Sequence, residues 1–122
     1  MNRILFLSLA AAACFAQSAK TVVENDQVKV LSVVVQPHQK TRTHDHKVNR
    51  VMIYLNAGTQ DITYTDGKKT TTSWRANEAK WSPASGMHVA EITSDKPVTI
   101  IEVELKKPAP ASASFFAIAT FS

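Results

Sequence analysis

Three histidines have the types and the spacing of a metal-binding site. His44 and His46 are separated by one residue, and His88 lies far along the chain. Side chains at positions i and i+2 of a β-strand share one face, so His44 and His46 can point the same way on a strand. The third ligand must come from another strand, and His88 is the candidate. Imidazole nitrogens bind several transition metals, so we expect one divalent ion (Fe, Mn, Zn, Ni or Cu) at this trio.

Each histidine also has a structural interpretation that involves no metal. His44 and His46 can be surface residues beside the polar loop 40–43, and His88 can be a hydrogen-bonded histidine of the interior. His38, which precedes the pair, fits a solvated loop residue. The sequence therefore leaves open a protein without a metal cofactor.

Arg42, Arg50 and Trp81 are the candidates for contact with a substrate. A guanidinium can bind a carboxylate through two parallel hydrogen bonds, so either arginine could hold an anionic ligand. Trp81 could line a pocket, since ligand pockets are rich in aromatic side chains. The alternatives are arginines at a rim facing solvent and a tryptophan of the barrel core or of a surface strand. No acid–base pair is fixed relative to the histidines, so the catalytic residues stay unassigned.

The elements that must position these residues are short β-strands. β-Branched residues dominate from Thr21 onward, and no segment between Thr21 and Leu105 has a convincing helical periodicity. We predict strands over residues 28–35, 50–55, 60–65, 68–74, 79–81, 87–93 and 98–105.

The turn at Asp66-Gly67 gives the strongest prediction of a hairpin. It joins two alternating runs, and we expect a tight turn with positive φ at both central residues. Many short strands separated by frequent turns are typical of an all-β sandwich or barrel. We therefore predict a single small antiparallel β-barrel or jelly roll.

Length, charge and cysteine content exclude several classes of protein. The chain has 122 residues, 44% of them apolar and 20% charged, which fits one globular domain. The net charge of +4 is scattered rather than gathered in a basic stripe, so we expect no nucleic-acid partner. A single cysteine excludes an intrachain disulfide framework and a cysteine-rich zinc site.

The N-terminal residues have the layout of a secretory signal. Basic Arg3 precedes an apolar run over 4–13, and Ala16 offers a small-residue cleavage site before Gln17. An alternative is a lipoprotein signal that ends before Cys14, which would then carry the lipid. The apolar run is too short to span a bilayer. We expect an exported protein, periplasmic or secreted, without a transmembrane span in the mature chain.

These features divide the chain into three parts. Residues 1–16 are predicted to be the signal peptide, and residues 21–105 the barrel. Residues 106–122 combine a Pro/Ala/Ser linker with an apolar tail over 115–121, which could pack on this barrel or on a second chain.

The order of these residues resembles the two conserved motifs of the cupins. The first motif runs Gly, five residues, His-x-His, three or four residues, Glu, six residues, Gly, and the segment from His38 to Gly58 is similar to it. The second runs Gly, five residues, Pro-x-Gly, two residues, His, three residues, Asn, and the segment from Asn77 to Ile92 is similar to it. The resemblance implies a double-stranded β-helix with His44, His46 and His88 as metal ligands.

The main departure from the motifs is the metal-binding Glu. The spacing places Arg50 or Val51 there, and neither can be an anionic ligand. Glu91 follows His88 by three residues, so it faces the other side of a regular strand. Asn77 is a tolerable replacement for glycine because Asn also adopts left-handed conformations. Non-family residues at other motif positions are His38, Ser85 and Ile92.

The resemblance implies a site of three histidines without a carboxylate, as in some cupins that are dioxygenases. Three neutral imidazoles leave the charge of an ion uncompensated and coordination positions open, which favours anionic ligands. We therefore expect a metal-dependent enzyme of dioxygenase or other type that acts on a small anionic substrate. The alternatives are a non-enzymatic cupin that binds a small molecule or has a structural role, and a generic exported β-sandwich that works by protein contact. The resemblance also implies a homodimer.

Overall fold

A computed structural model describes residues 16–106, which form nine β-strands and no helix. All strands pair antiparallel. This confirms the prediction of an all-β antiparallel fold. The strands are β1 (Gln17–Glu24), β2 (Val28–Val35), β3 (His44–His46), β4 (Arg50–Tyr54), β5 (Gly58–Tyr64), β6 (Lys69–Trp74), β7 (Glu78–Ser82), β8 (Ser85–Ile92) and β9 (Val98–Leu105).

The strands form two sheets that enclose one core. The first sheet has the order β1-β2-β9-β4-β7, and the second has the order β3-β8-β5-β6. Side chains alternate between the two faces of a strand, so β4 buries every second residue, beginning with Arg50. The apolar residues that meet between the sheets are Val33, Val35, Met52, Tyr54, Trp74, Ile92, Val98 and Ile100.

The hairpin between β5 and β6 is present, but its turn differs from the prediction. Gly67 has φ of 87°, whereas Asp66 is not among the described residues with positive φ. The amide of Gly67 donates to the carbonyl of Tyr64 at 2.9 Å, and the amide of Tyr64 donates to Lys68 at 2.8 Å. This is the pattern of a three-residue loop that ends in a left-handed glycine, so the expectation of positive φ at both central residues is wrong.

Two residues that replace motif glycines adopt the left-handed backbone. His38 has φ of 59° and Asn77 has φ of 64°, the two positive values among described residues other than glycine. The amide of Asn77 donates to the carbonyl of Tyr54 at 2.7 Å, which fixes the turn between β6 and β7. Both positions therefore use the left-handed region, which Asn tolerates better than most residues.

The first strand lies at an edge of its sheet and begins ahead of the expected barrel boundary at Thr21. All eight residues of β1 are exposed, including Val22 and Val23. Such an edge offers unpaired backbone groups to a second chain, and the homodimer stays a prediction.

Several sequence predictions concern parts of the chain outside the described residues. These are the signal peptide up to residue 15, the lipid site at Cys14, and the linker and tail from residue 107 onward. Within residues 16–106, no helix has the length and the apolar character needed to cross a membrane.

Gly58 is required by packing, and this gives a prediction of stability. A Cβ atom at this position would lie 2.8 Å from Cγ2 of Val98 and 3.0 Å from Cζ2 of Trp74, both in the core. Overpacking of this kind costs about 1–3 kcal/mol, so we expect Gly58→Ala to lower the free energy of unfolding by that amount. Urea denaturation measures it.

Gly86→Ala is the matched control. A Cβ atom at Gly86 would meet nothing within 4 Å, so this variant should keep the wild-type midpoint. Equal midpoints for Gly58→Ala and Gly86→Ala would contradict the packing assigned to Gly58.

Candidate metal centre

The three predicted ligands converge at the junction of β3 and β8. His44 and His46 lie at the two ends of β3, and His44 is the register partner of His88 on β8. One nitrogen from each ring lies within 4.8 Å of the others. The ring centroids are separated by 4.9 Å (His44–His46), 4.5 Å (His44–His88) and 5.2 Å (His46–His88). This geometry fits a shared cation.

Two backbone carbonyls select the ring nitrogens that remain free. Nδ1 of His44 lies 2.7 Å from the carbonyl oxygen of Arg42, and Nδ1 of His88 lies 2.7 Å from that of Gly86. A carbonyl oxygen only accepts, so each Nδ1 must carry the hydrogen and donate it. In the neutral rings the lone pair is then on Nε2, where it can bind a metal.

The loop that leads into β3 is fastened to β8 by Thr41. The amide of Thr41 donates to the carbonyl of Ala90 at 2.9 Å, and the amide of Ala90 donates to Oγ1 of Thr41 at 2.9 Å. The amide of His38 donates to the carbonyl of Ile92 at 2.8 Å. Together these bonds hold the segment from His38 to His46 along β8, which sets where the histidine pair lies.

The environment keeps two of the imidazoles neutral. Burial lowers the pKa of His46 to about 3, and the positive charge of Arg50 and the other two histidines add to this effect. Burial also lowers the pKa of His88, although the hydrogen bond to the carbonyl of Gly86 acts in the opposite direction. Both rings are therefore unprotonated at neutral pH, which is the form that binds metals.

Arg50 is a buried residue of the barrel interior. It is 6% exposed, so the interpretation of this arginine as a solvent-facing rim residue is wrong. Its Nη1 donates to Oε2 of Glu102 at 3.2 Å and its Nη2 donates to Oγ of Ser82 at 3.0 Å. The physical reason is strand register, because Arg50 is opposite Ser82 and diagonal to Glu102 on its two neighbouring strands. The Nε atom is buried without a hydrogen-bond partner.

Glu102 is the site residue that the sequence did not indicate. It is 7% exposed, and burial raises its pKa while Arg50 opposes that rise. A signal existed, because Glu102 shares its strand face with Val98 and Ile100, both buried. The opposite face of β9 carries Ile101 and Val103, however, so the sequence alone did not tell which face points inward.

The three histidines and the ion pair of Arg50 and Glu102 line one cavity of about 70 Å³, which the exposed residue Gln17 also borders. Among the described residues that line it, Arg50 is the only Lys or Arg and Glu102 the only carboxylate. The remaining wall is apolar or uncharged, contributed mainly by Val35, Thr41, Met52, Tyr54, Gln60, Ile62, Ser82, Ala90 and Ile100.

The other candidate residues do not reach this cavity. Trp81 is 58% exposed. Alternate residues of β7 face opposite sides of the sheet, and Trp81 shares the exposed side with Ala79. Arg42 is exposed and contributes its backbone carbonyl to His44. Glu91 does not line this cavity: it lies on the half-buried face of β8, opposite to the face of the buried His88 and Ala90, as predicted from strand alternation. It lines a cleft of about 300 Å³ that His88 also borders.

His38 lies apart from the metal-binding trio. Its Nε2 is 3.0 Å from Oδ1 of Asp95, and its side chain is 57% exposed. This agrees with its interpretation as a loop residue.

The neutral state of His46 predicts how stability depends on pH. Its pKa is about 3 in the folded chain, below the ordinary value of 6.5 that applies on unfolding. Between these values the unfolded chain binds a proton that the folded chain does not, so stability falls as the pH decreases below about 6.5. We expect a lower urea midpoint for the metal-free protein at pH 5 than at pH 7.

The variant His46→Gln removes this titration and should show a smaller difference between the two midpoints. A pH dependence as steep as that of the wild type would contradict the assignment to His46.

No family model and no curated protein matches the sequence. Among solved structures, a cupin domain from Bordetella pertussis is similar with a TM-score of 0.66 and 22% identity, over 75% of this chain and 95% of that one.

Two further structures extend this likeness. An RmlC-like cupin with a double-stranded β-helix from Methanocaldococcus jannaschii has a TM-score of 0.58 and 10% identity, over 78% of this chain and 84% of that one. The polyketide cyclase RemF from Streptomyces resistomycificus has a TM-score of 0.56 and 15% identity, over 78% and 68%. At these identities it is the fold that is shared, and the resemblance of the motifs is confirmed at that level: this chain has the cupin fold.

Proposed function

We propose that this protein is an exported metal-binding cupin that holds one divalent transition-metal ion through Nε2 of His44, Nε2 of His88 and a ring nitrogen of His46. The observation that carries the proposal is the convergence of three ring nitrogens within 4.8 Å. The hydrogen bonds from Nδ1 of His44 and His88 to backbone carbonyls support it, because they orient the rings and leave Nε2 available.

The donor set fits a transition metal better than calcium or magnesium. Imidazole suits Zn, Fe, Cu, Ni and Mn, whereas hard cations prefer oxygen ligands. The carboxylate of Glu102 lines the same cavity, but it is hydrogen-bonded to Arg50 and does not belong to the converging group of ligands. A bound ion would supply a Lewis-acid centre with open coordination positions.

The residues around the histidines favour a small anionic substrate. Arg50 gives the cavity a fixed positive charge, and the carboxylate of Glu102 balances it. A bound metal ion would add further positive charge. The apolar wall, with Met52, Ile62 and Ile100, limits the access of water and strengthens electrostatic interactions inside. A metal-dependent reaction, of the dioxygenase type or of another type, is consistent with this arrangement. One protein of the same fold is described as a polyketide cyclase.

A non-enzymatic role as a small-ligand binding or structural module is the second candidate. It is favoured by the ion pair, because Glu102, the one carboxylate among residues 16–106 that lines the cavity, is bound to Arg50 and so is not a free acid or base. The two candidates differ in their response to a chelator. Ligand-induced thermal stabilisation that persists in chelator supports the module, whereas loss of that stabilisation supports a metal-dependent site.

Export is the part of the proposal that rests on sequence alone. Cleavage after Ala16 would leave Gln17, the first residue of β1, at the N-terminus of the mature protein. The mass of the protein recovered from the exporting host tests it. A mature chain that starts at Gln17 supports secretion, one that starts at a lipidated Cys14 supports anchoring, and an uncleaved chain contradicts both.

The metal site predicts that each of the three histidines is needed for binding. Loss of an outer partner of a ligand alone weakens binding about 10-fold to 100-fold, so we expect His44→Gln, His46→Gln and His88→Gln to lower affinity at least about 100-fold. Isothermal titration with Zn²⁺, Co²⁺ and Ni²⁺, together with elemental analysis, measures this.

His38→Gln is the control, because His38 contacts Asp95 and lies outside the trio. It should bind one ion per chain with wild-type affinity. A wild-type protein that takes up no ion would overturn the proposal, as would variants of the trio that bind as well as His38→Gln.

A further inference from the structure

The guanidinium of Arg50 has a buried donor that the folded chain does not use. Nη1 and Nη2 each have a partner, in Glu102 and Ser82, but Nε is buried and has none. An unsatisfied buried donor costs free energy, and few occur in folded proteins without a reason. Arg50 is only 6% exposed and lines the cavity of the histidines. An acceptor for Nε is therefore best supplied by a ligand in that cavity.

The balance of charge determines the sign of that ligand. An imidazole must be neutral to bind a metal, so the three ligands add no charge, and Arg50 and Glu102 cancel each other. A divalent ion at the histidines would therefore leave two uncompensated positive charges in a cavity where Glu102 is the only carboxylate among the described lining residues. Burial of unpaired charge is unfavourable, so the loaded site requires an anion from solution.

The size of the cavity limits what that anion can be. A cavity needs a volume of at least about 10–15 Å³ to hold one water-sized group. A cavity of about 70 Å³ therefore accommodates only a few such groups. A carboxylate of the size of formate or acetate, or the carboxylate end of a longer molecule, satisfies the limit. A carboxylate also presents more than one acceptor oxygen, as a site between a cation and an arginine requires.

We propose that Arg50 makes this cavity a carboxylate-binding site, in which Nε donates a hydrogen bond to a small carboxylate held beside the three histidines. This inference rests on the proposed metal site for the charge balance, but the vacant donor of Arg50 exists without a metal. It assigns the substrate or ligand of the site to the small carboxylates, and it makes Arg50 the residue that selects them.

The test is a titration with acetate of the Zn²⁺-loaded protein and of the metal-free protein. Removing Arg50 alone would leave Glu102 buried and unpaired, so the informative variant is the double substitution Arg50→Gln with Glu102→Gln. Arg75→Gln is the matched control, because Arg75 is an exposed arginine outside the cavity. Circular dichroism melting confirms that each variant is folded, and acetamide serves as the uncharged analogue of acetate.

We expect acetate to bind the wild type and Arg75→Gln equally, and acetamide to bind neither. A hydrogen bond to a charged group contributes about 1.5–3 kcal/mol, so the double variant should bind acetate about 10-fold to 100-fold more weakly. Its affinity for Zn²⁺ should change little, since Arg50 and Glu102 are not ligands. If the double variant does not fold, Arg50→Lys, which keeps the charge but lacks Nε–H, should show the same direction of loss.

The outcomes separate this inference from the proposed function. Zn²⁺ binding with equal acetate affinity in wild type and variant overturns the carboxylate site and leaves the metal site standing. Absence of Zn²⁺ binding overturns the metal site, and acetate binding to the metal-free wild type that is lost in the variant still supports the role of Arg50. Acetate binding by neither form of the wild type overturns the inference.

Discussion

The pairing of β3 with β8 is the constraint on which the candidate site depends. β3 has only three residues, and two of them are the histidines, so its own hydrogen bonds supply little of what fixes their position. The preceding segment compensates, because His38 and Thr41 bond to Ile92 and Ala90 along the same strand. A long, well-buried strand thus serves as the template for a short one. The hydrogen bonds that align the segment from His38 to His46 with β8 therefore also align the histidine ligands.

The ion pair of Arg50 and Glu102 gives the interior its electrostatic character. Buried charges without partners destabilise a fold by several kcal/mol, whereas a paired and hydrogen-bonded set is tolerated. In this chain the partners come from β4, β7 and β9, which are adjacent in one sheet. The opposite sheet supplies the histidines. The cavity therefore joins a charged wall to a wall of imidazoles, and the positive charge of Arg50 helps keep His46 unprotonated.

Much of the fold could be predicted because strands have a simple period. The run from Val28 to Val35 and the segment from Arg50 onward indicated strands that the structure contains, as did the two flanks of Asp66-Gly67. The details of turns were less accessible. Gly67 adopts positive φ as expected, but Asp66 does not. The type of turn is selected by the length of the loop, which depends on which residues pair across the hairpin. Here Thr63 pairs with Lys69.

The sequence by itself determined the all-β class, the shared strand face of His44 and His46, and the spacing that singled out His88. These follow from local geometry, because alternation along a strand needs no knowledge of the rest of the chain. Only the tertiary structure decided that His88 meets the pair, that Arg50 points inward rather than to solvent, and that Glu102 rather than Glu91 shares the cavity. Alternation divides residues between two faces without saying which is inside, and that choice is made when the two sheets pack against each other.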